Sequence, residues 1–299
     1  DAILQSLYDE RSNVTYLDNV IIEKINFDGQ GRNVSGFKAT GFTRGCVVRD
    51  CYFIDCGHAS IEIAGSWSFA LERNNIYGSD NTGYGMLLGA TSTGTYDTTS
   101  MVNQAFIFNN TIRRHNVGIQ NDYGYMNMIV GNTVELNNRD LVSISTKALN
   151  IQGNYFEQAS SRSLYLGGTQ NVPENTIISG NFFNASNDAV GEIYIESLKR
   201  ARIFGNHFNK SNNHLYVATG AGARIVDCFL DFPARGRVYN ESELDYLTNT
   251  IYFNDVKFRY VRTSRLEVAA NIGFFGKKEV GQQSVSGSTT EARLNSLIS

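Results

Sequence analysis

Glu135 and Glu157 are the residues of this 299-residue chain whose spacing points most directly to chemistry. Each follows an apolar residue, Val134 or Phe156, in a repeated phrase, and the two lie 22 positions apart. If 22 residues make one turn of a coiled chain, their backbones come within about 5 Å of each other, the spacing of neighbouring strands. Two carboxylates about 5 to 5.5 Å apart suit a retaining glycosidase, one as nucleophile and one as acid. Like charge at that range raises one of the two pKa values, as the acid requires. Arg113 holds the equivalent position one coil lower. It supplies the alternative reading, a solvated ladder in which Arg113 simply pairs with Glu135.

A second set of residues suits sugar binding. Tyr165, Tyr194 and Tyr216 each stand between two aliphatic residues, in Leu164–Leu166, Ile193–Ile195 and Leu215–Val217. On successive coils they form an outward stripe, with Glu192 and Glu196 flanking Tyr194 and with Gln120 and Asp122 three coils lower. Aromatic faces cover the C–H surfaces of a sugar, and carboxylates and amides take its hydroxyls. Cross-coil aromatic packing explains the same stripe without any ligand. Glu62, alone on this face nearer the N-terminus, is a weaker acid or base and reads as a solvated glutamate.

Both sets depend on a repeat. The phrase is an apolar residue, two variable residues, usually Asn, one more residue, then another apolar residue. It recurs from Ile22–Phe27 through Leu71–Ile76, Ile107–Ile112, Ile129–Val134, Ile151–Phe156, Ile178–Phe183 and Ile203–Phe208 to Ile225–Leu230. The intervals between fourth positions, from Ile25 to Cys228, are 26, 23, 36, 22, 22, 27, 25 and 22. Such a period marks a solenoid. It is too short for two packed helices and fits three short strands per coil, two from the phrase and one after it. Gly131-Asn132, Gly153-Asn154, Gly180-Asn181 and Gly205-Asn206 supply a tight corner between the first two strands, because Gly and Asn tolerate positive φ. Stacked Asn amides at that corner would bond one another along the axis and satisfy polar groups that are costly to bury. Two insertions, Thr91–Asn103 and Gly167–Asn175, follow the third strand and fall on one edge, as a binding surface or a tolerated excursion.

Composition narrows the alternatives. Only 2 Pro among 299 residues suits continuous strand pairing. A net charge of −3, from 26 basic and 29 acidic residues, argues against nucleic-acid binding driven by phosphate neutralisation. No apolar run is long enough to span a bilayer. The four His residues (His58, His115, His207 and His214) do not cluster, and Cys46, Cys51, Cys56 and Cys228 match neither redox nor zinc spacing. Neither a metal nor a cofactor is expected, and the cysteines read as buried free thiols. The chain opens at Asp1 without a signal peptide, which reads as a processed or excised piece.

The expected organisation is an N-terminal capping helix over residues 1–13, a β-solenoid of about nine coils over 14–239, a C-terminal β cap over 240–275, and a tail over 276–299 that opens a helix at Ser288. Thr250–Arg262 reads as one strand of that cap.

The I-x-G-N-x-F phrase, the Asn ladder and the 22-residue coil resemble right-handed, single-stranded parallel β-helices of the pectate-lyase type over residues 14–239. The ending Ile272-Gly-Phe-Phe-Gly…Gln282-Gln…Ser286-Gly-Ser-Thr…Leu294…Leu297-Ile resembles the tail of bacteriophage tailspike β-helix proteins. That resemblance implies an all-β homotrimer on a phage virion that recognises, and often cleaves, bacterial surface polysaccharide. The Arg and calcium-binding Asp pattern of pectate lyases has no counterpart here, so that chemistry is not implied. Three classes stay open: a polysaccharide depolymerase acting by hydrolysis, a non-catalytic adhesin, and a structural rod.

Overall fold

A computed structural model of the chain describes residues 2–5, 16–89, 100–168, 172–184, 192–209, 213–217, 225–226, 229–231, 237–240, 252–254 and 257–261. The chain winds as a right-handed parallel β-helix, and every strand pairs in parallel with its counterpart one coil away. The first strands of the phrases from Ile22 to Ile203 form a ladder that Phe229–Asp231 and Tyr252–Asn254 extend to ten strands. The expected last phrase, Ile225–Leu230, is out of register, since Leu230 aligns with Ile203 while Ile225 pairs with Leu198 in a separate two-stranded sheet. The second and third strands form two further ladders. They are fused into one 17-stranded sheet because Asn75–Leu88 and Thr111–Asp122 run around the corner between them as single bent strands. Among the described residues no helix is long and apolar enough to cross a membrane.

The Asn ladder forms as the phrase predicts. Each amide donates to the next: Asn74 to Asn110 at 3.0 Å, Asn110 to Asn132 at 3.0 Å, then Asn132 to Asn154, Asn154 to Asn181 and Asn181 to Asn206, each at 2.9 Å. Every Oδ1 that accepts in this series also takes the backbone N–H of the preceding Asn, from Asn74 N–H through Asn181 N–H. At the N-terminal end Cys51 stands in the ladder, its N–H bonded to Asn74 Oδ1. The corner residue just before each Asn has positive φ, at Gly131, Gly153, Gly180 and Gly205 and also at Asn109 and Arg73. Glycine adopts that conformation without the Cβ strain that Arg73 and Asn109 accept.

Inside, like stacks on like. Phe156 lies 5.1 Å from Phe183, and Phe183 lies 4.9 Å from Phe208, with nearly parallel rings; Phe27 stacks on Phe53 in the same column. Burial of these columns supplies the main driving force for the stack, at roughly 25 cal/mol per Å² of apolar surface. Cys46, Cys51 and Cys56 are buried free thiols, and Cys228 lies outside the described residues.

The two ends differ from expectation. Ala2–Gln5 is not helical but a strand, paired in parallel with the segment from Ser35 to Lys38. It covers the end of the third ladder by continuing it, and the rest of the expected capping helix lies outside the described residues. At the other end, Thr250–Arg262 holds two strands instead of one. Tyr252–Asn254 adds to the first ladder and Lys257–Val261 to the third, so the stack runs beyond residue 239. The expected final helix lies outside the described residues.

Candidate functional site

The second ladder carries the carboxylates on its outer face. Its register aligns Tyr77, Arg113, Glu135, Glu157, Asn184 and Asn209 in one column. Glu135 and Glu157 are therefore direct neighbours, as their spacing predicts. Arg113 Nε lies 2.8 Å from Glu135 Oε1. Asn184 donates to Glu157 Oε1 at 2.7 Å and to the Tyr155 hydroxyl at 3.2 Å, and Asn209 donates to Asn184 at 3.1 Å. Hydrogen bonds run along the axis from Glu157 through Asn184 to Asn209, and below them the ion pair expected of a solvated ladder forms between Arg113 and Glu135.

Two residues earlier runs a column that the sequence reading passed over. Tyr155 stacks on Phe182 at 5.4 Å and Phe182 on His207 at 4.6 Å, directly beside Glu157, Asn184 and Asn209. The signal was present: these are the fifth residues of three consecutive phrases, where earlier coils carry Thr111 and Thr133. The Tyr155 hydroxyl titrates above its ordinary range, first because burial disfavours the phenolate.

The third ladder brings the tyrosines together. Val142, Tyr165, Tyr194 and Tyr216 align in register, and Tyr239 and Tyr260 continue the column. Tyr165 and Tyr194 stack at 5.4 Å with planes 10° apart, and Tyr194 and Tyr216 at 5.0 Å with planes 11° apart. The Arg162 guanidinium sits 3.9 Å from the Tyr194 centroid. The ring faces, which a sugar would need, are thus turned to one another and to Arg162. What remains for a ligand is ring edges and hydroxyls. Burial, with Glu196 beside the hydroxyl, drives the Tyr165 pKa up.

Glu192 is a correction. It was expected on the surface beside Tyr194, yet it is fully buried and accepts a hydrogen bond from Ser163 at 2.7 Å. Asp140, two coils below, is also fully buried; Asn137 donates to its Oδ1 at 3.0 Å, while Oδ2 has no hydrogen-bond partner. Burial pushes the Asp140 carboxyl well above the usual carboxylate range. These positions sit at the corner between the second and third ladders. There the chain turns inward after a positive-φ residue, Leu136 or Gln158, so strict alternation fails. Gly118, in register with Asp140, shows the direction: a Cβ there would meet the inward Val134 side chain at 2.7 Å. His115, at the same corner, is buried with both ring nitrogens unbonded, and burial lowers its pKa to about 4.

Asp122 lies in register with Ile144, at the end of the third strand. It is 8% exposed, accepts from Gln120 Nε2 at 2.6 Å, and is raised by burial to about 7. Glu62 is not a solvated glutamate. It is 6% exposed and bonded to Ser35 at 2.6 Å and to Lys38 at 2.7 Å, with His58 Nε2 at 3.5 Å. Among the described residues no three His, Cys, Asp or Glu side chains converge as metal ligands.

The fold recurs in solved structures. DFA-IIIase from Arthrobacter chlorophenolicus, in complex with GF2, superposes over 100% of this chain with a TM-score of 0.56 at 12% identity. The tailspike of an Acinetobacter phage superposes over 96% of it with a TM-score of 0.54 at 11% identity. This chain spans 63% of the DFA-IIIase chain and 52% of the tailspike chain, and at such identity the likeness is one of fold. No curated protein matches the sequence. Residues 11–226 match the model of the family described as periplasmic copper-binding protein (NosD); that span is most of the chain, which belongs to the NosD family.

Proposed function

We propose that this chain is the β-helical body of a phage tailspike-type receptor-binding protein, which binds a bacterial surface polysaccharide and hydrolyses it. The observation that carries this reading is the outer face of the second ladder. There Glu135 and Glu157 are cross-strand neighbours on a rigid sheet, flanked by the Tyr155–Phe182–His207 stack and by the amides of Asn184 and Asn209. Paired carboxylates at one strand spacing suit retaining hydrolysis. In that scheme Glu135, held by Arg113, attacks the anomeric carbon, and Glu157 protonates the leaving oxygen. The homotrimer and the place on a virion tail belong to the same proposal and rest on likeness of fold.

A copper role of the kind in the family's description does not fit the described residues. Cys46, Cys51 and Cys56 direct their thiols to the backbone carbonyls of Leu17, Arg49 and Ile54. His115 is buried in the corner, and among the described residues no three His, Cys, Asp or Glu side chains come together as a metal would need.

The test is incubation with capsular and lipopolysaccharide preparations, following product size and unsaturated-uronate absorbance. Shortened chains without absorbance are expected from the unaltered protein, with at least about a 100-fold loss of rate in Glu135→Gln and in Glu157→Gln. Full activity in both variants overturns the assignment, and absorbance replaces hydrolysis by elimination. The second reading, a non-catalytic adhesin, draws on the bonding of both carboxylates within the column. It predicts binding without shortening.

A further inference from the structure

Beyond the third ladder the chain makes a fourth, minimal one. Asn103, Tyr125 and Lys147 bridge in parallel on three successive coils, and the series continues to Glu174 and Lys199. Between these bridges and the end of the third ladder lies a cavity of about 320 Å³, lined by Met101, Asn103, Tyr123, Tyr125, Ser145 and Lys147 over a floor at Gly124. That volume is at the lower end of the range that small-ligand sites occupy.

Its walls are pre-formed. Tyr125 N–H bonds Val102 O, Gln104 N–H bonds Tyr125 O, Lys147 N–H bonds Gly124 O and Met126 N–H bonds Lys147 O. Gly124 permits the close approach of the floor, since a Cβ there would lie 2.3 Å from Asn127 Nδ2 and 2.7 Å from Val102 O. Within this frame Asn103 Oδ1 is buried and has no hydrogen-bond partner among the described residues. An unbonded buried carbonyl oxygen costs free energy that a ligand hydroxyl can recover. Lys147 is exposed. Its neighbour on the next coil, Glu174, is taken by Arg200, and no ion pair engages Lys147 among the described residues. Tyr125 is 45% exposed and gives an apolar surface beside the cation.

We propose that this cavity is a subsite for a carboxylated sugar residue of an acidic polysaccharide. Lys147 takes the carboxylate, Asn103 Oδ1 accepts a ring hydroxyl, and Tyr125 covers the C–H edge. Neutral sugars would leave the lysine unpaired at the centre of the contact, so the site discriminates by charge. The inference rests on the glycan-binding reading and adds to it the class of glycan and a place away from Glu135 and Glu157.

The experiment is binding of the full chain to an array of bacterial capsular and lipopolysaccharide oligosaccharides, each in native and carboxyl-reduced form. Binding to acidic members is expected, weakened about tenfold or more by carboxyl reduction and equally by Lys147→Ala. Lys147→Arg should restore most of it, and Tyr125→Ala should weaken it. Binding that survives both carboxyl reduction and Lys147→Ala sinks this subsite while leaving the glycan-binding reading in place, as does binding confined to neutral members. No binding to any member removes both.

Discussion

Asn132 offers the sharpest test of what holds the stack together. Its Oδ1 accepts both the backbone N–H and the side-chain amide of Asn110 at 3.0 Å, and its Nδ2 donates to Ile107 O at 3.0 Å and to Asn154 Oδ1 at 2.9 Å. Replacement by Ala leaves the Asn110 N–H without its acceptor and removes a donor from Ile107 O, both in the interior. The Asn110 side chain keeps Leu71 O and Phe108 O, so its loss is partial. Each orphaned buried group costs about 1 to 3 kcal/mol, and the space left by the amide adds about 1 kcal/mol. Asn132→Ala should therefore destabilise by about 3 to 7 kcal/mol. Asn206 sits at the far end of the ladder and is 7% exposed, where water can replace its bonds. Asn206→Ala should cost about 1 to 2 kcal/mol. Urea unfolding at fixed protein concentration gives both values. Because solenoids need not unfold in one step, hydrogen exchange at the Asn110 amide supplies the local readout. A cost under about 1 kcal/mol for Asn132→Ala, with the Asn110 amide still protected, would refute the ladder as a source of stability.

Two further outcomes follow from buried charge. Burial favours a neutral Glu62, but the bonds from Lys38 and Ser35 outweigh it and hold the carboxyl below its ordinary range. Its contribution to stability is present above pH 4.5 and is lost as pH falls through the depressed folded pKa. Lys38→Met should cost about 2 kcal/mol at neutral pH by leaving that carboxylate short of its cation, measured by chemical unfolding; an unchanged midpoint would contradict it. Asp122 acts in the opposite sense. Its pKa is raised from 3.8 to about 7 by burial, so its stabilisation is full below pH 3.8 and lost as pH rises through 7. The difference, 7 − 3.8, amounts to about 4 kcal/mol at about 1.4 kcal/mol per unit. His115, lowered to about 4, opposes that trend, its stabilisation being complete above pH 6.5 and lost as pH falls toward 4. Asp122→Asn should thus flatten or reverse the decline in stability between pH 4 and 7; an unaltered pH profile would show that Asp122 ionises freely in the fold.

The repeat made most of the fold legible because a β-helix writes each coil's local rules into the sequence. An Asn at the fourth position of six consecutive phrases can satisfy its amide only by stacking, and register follows from that. The columns of Glu135 with Glu157 and of Tyr165 with Tyr194 and Tyr216 were therefore readable. Period-two alternation failed at the corner after Leu136 and Gln158. There two consecutive residues, Asp140 and Leu141, both face the interior, and that is why alternation alone puts Glu192 on the wrong side. Ala2–Gln5 misled for a different reason. Its short apolar run fits a helix turn or a strand equally well, and the open strand edge at Ser35–Thr40 decides the matter in favour of pairing.

The same regularity bears on how such a molecule can recognise a chain. A polymer lying along the axis of the second ladder meets carboxylate, carboxylate, amide, amide at steps of about 5 Å. A near-periodic face of this kind holds a polymer in many registers with similar energy, which gives affinity and sliding but little discrimination. Choice of register needs one place where the period breaks. The cavity at Lys147 is such a place, because it occurs where Asn103, Tyr125 and Lys147 follow one another without repeating chemistry. If a glycan spans both surfaces, Lys147→Ala should relax specificity among acidic glycans more than it slows cleavage of the one preferred, whereas Glu157→Gln should stop cleavage and leave the order of preference unchanged. Loss of both properties in either variant alone would show that affinity and selectivity are not divided between the two surfaces.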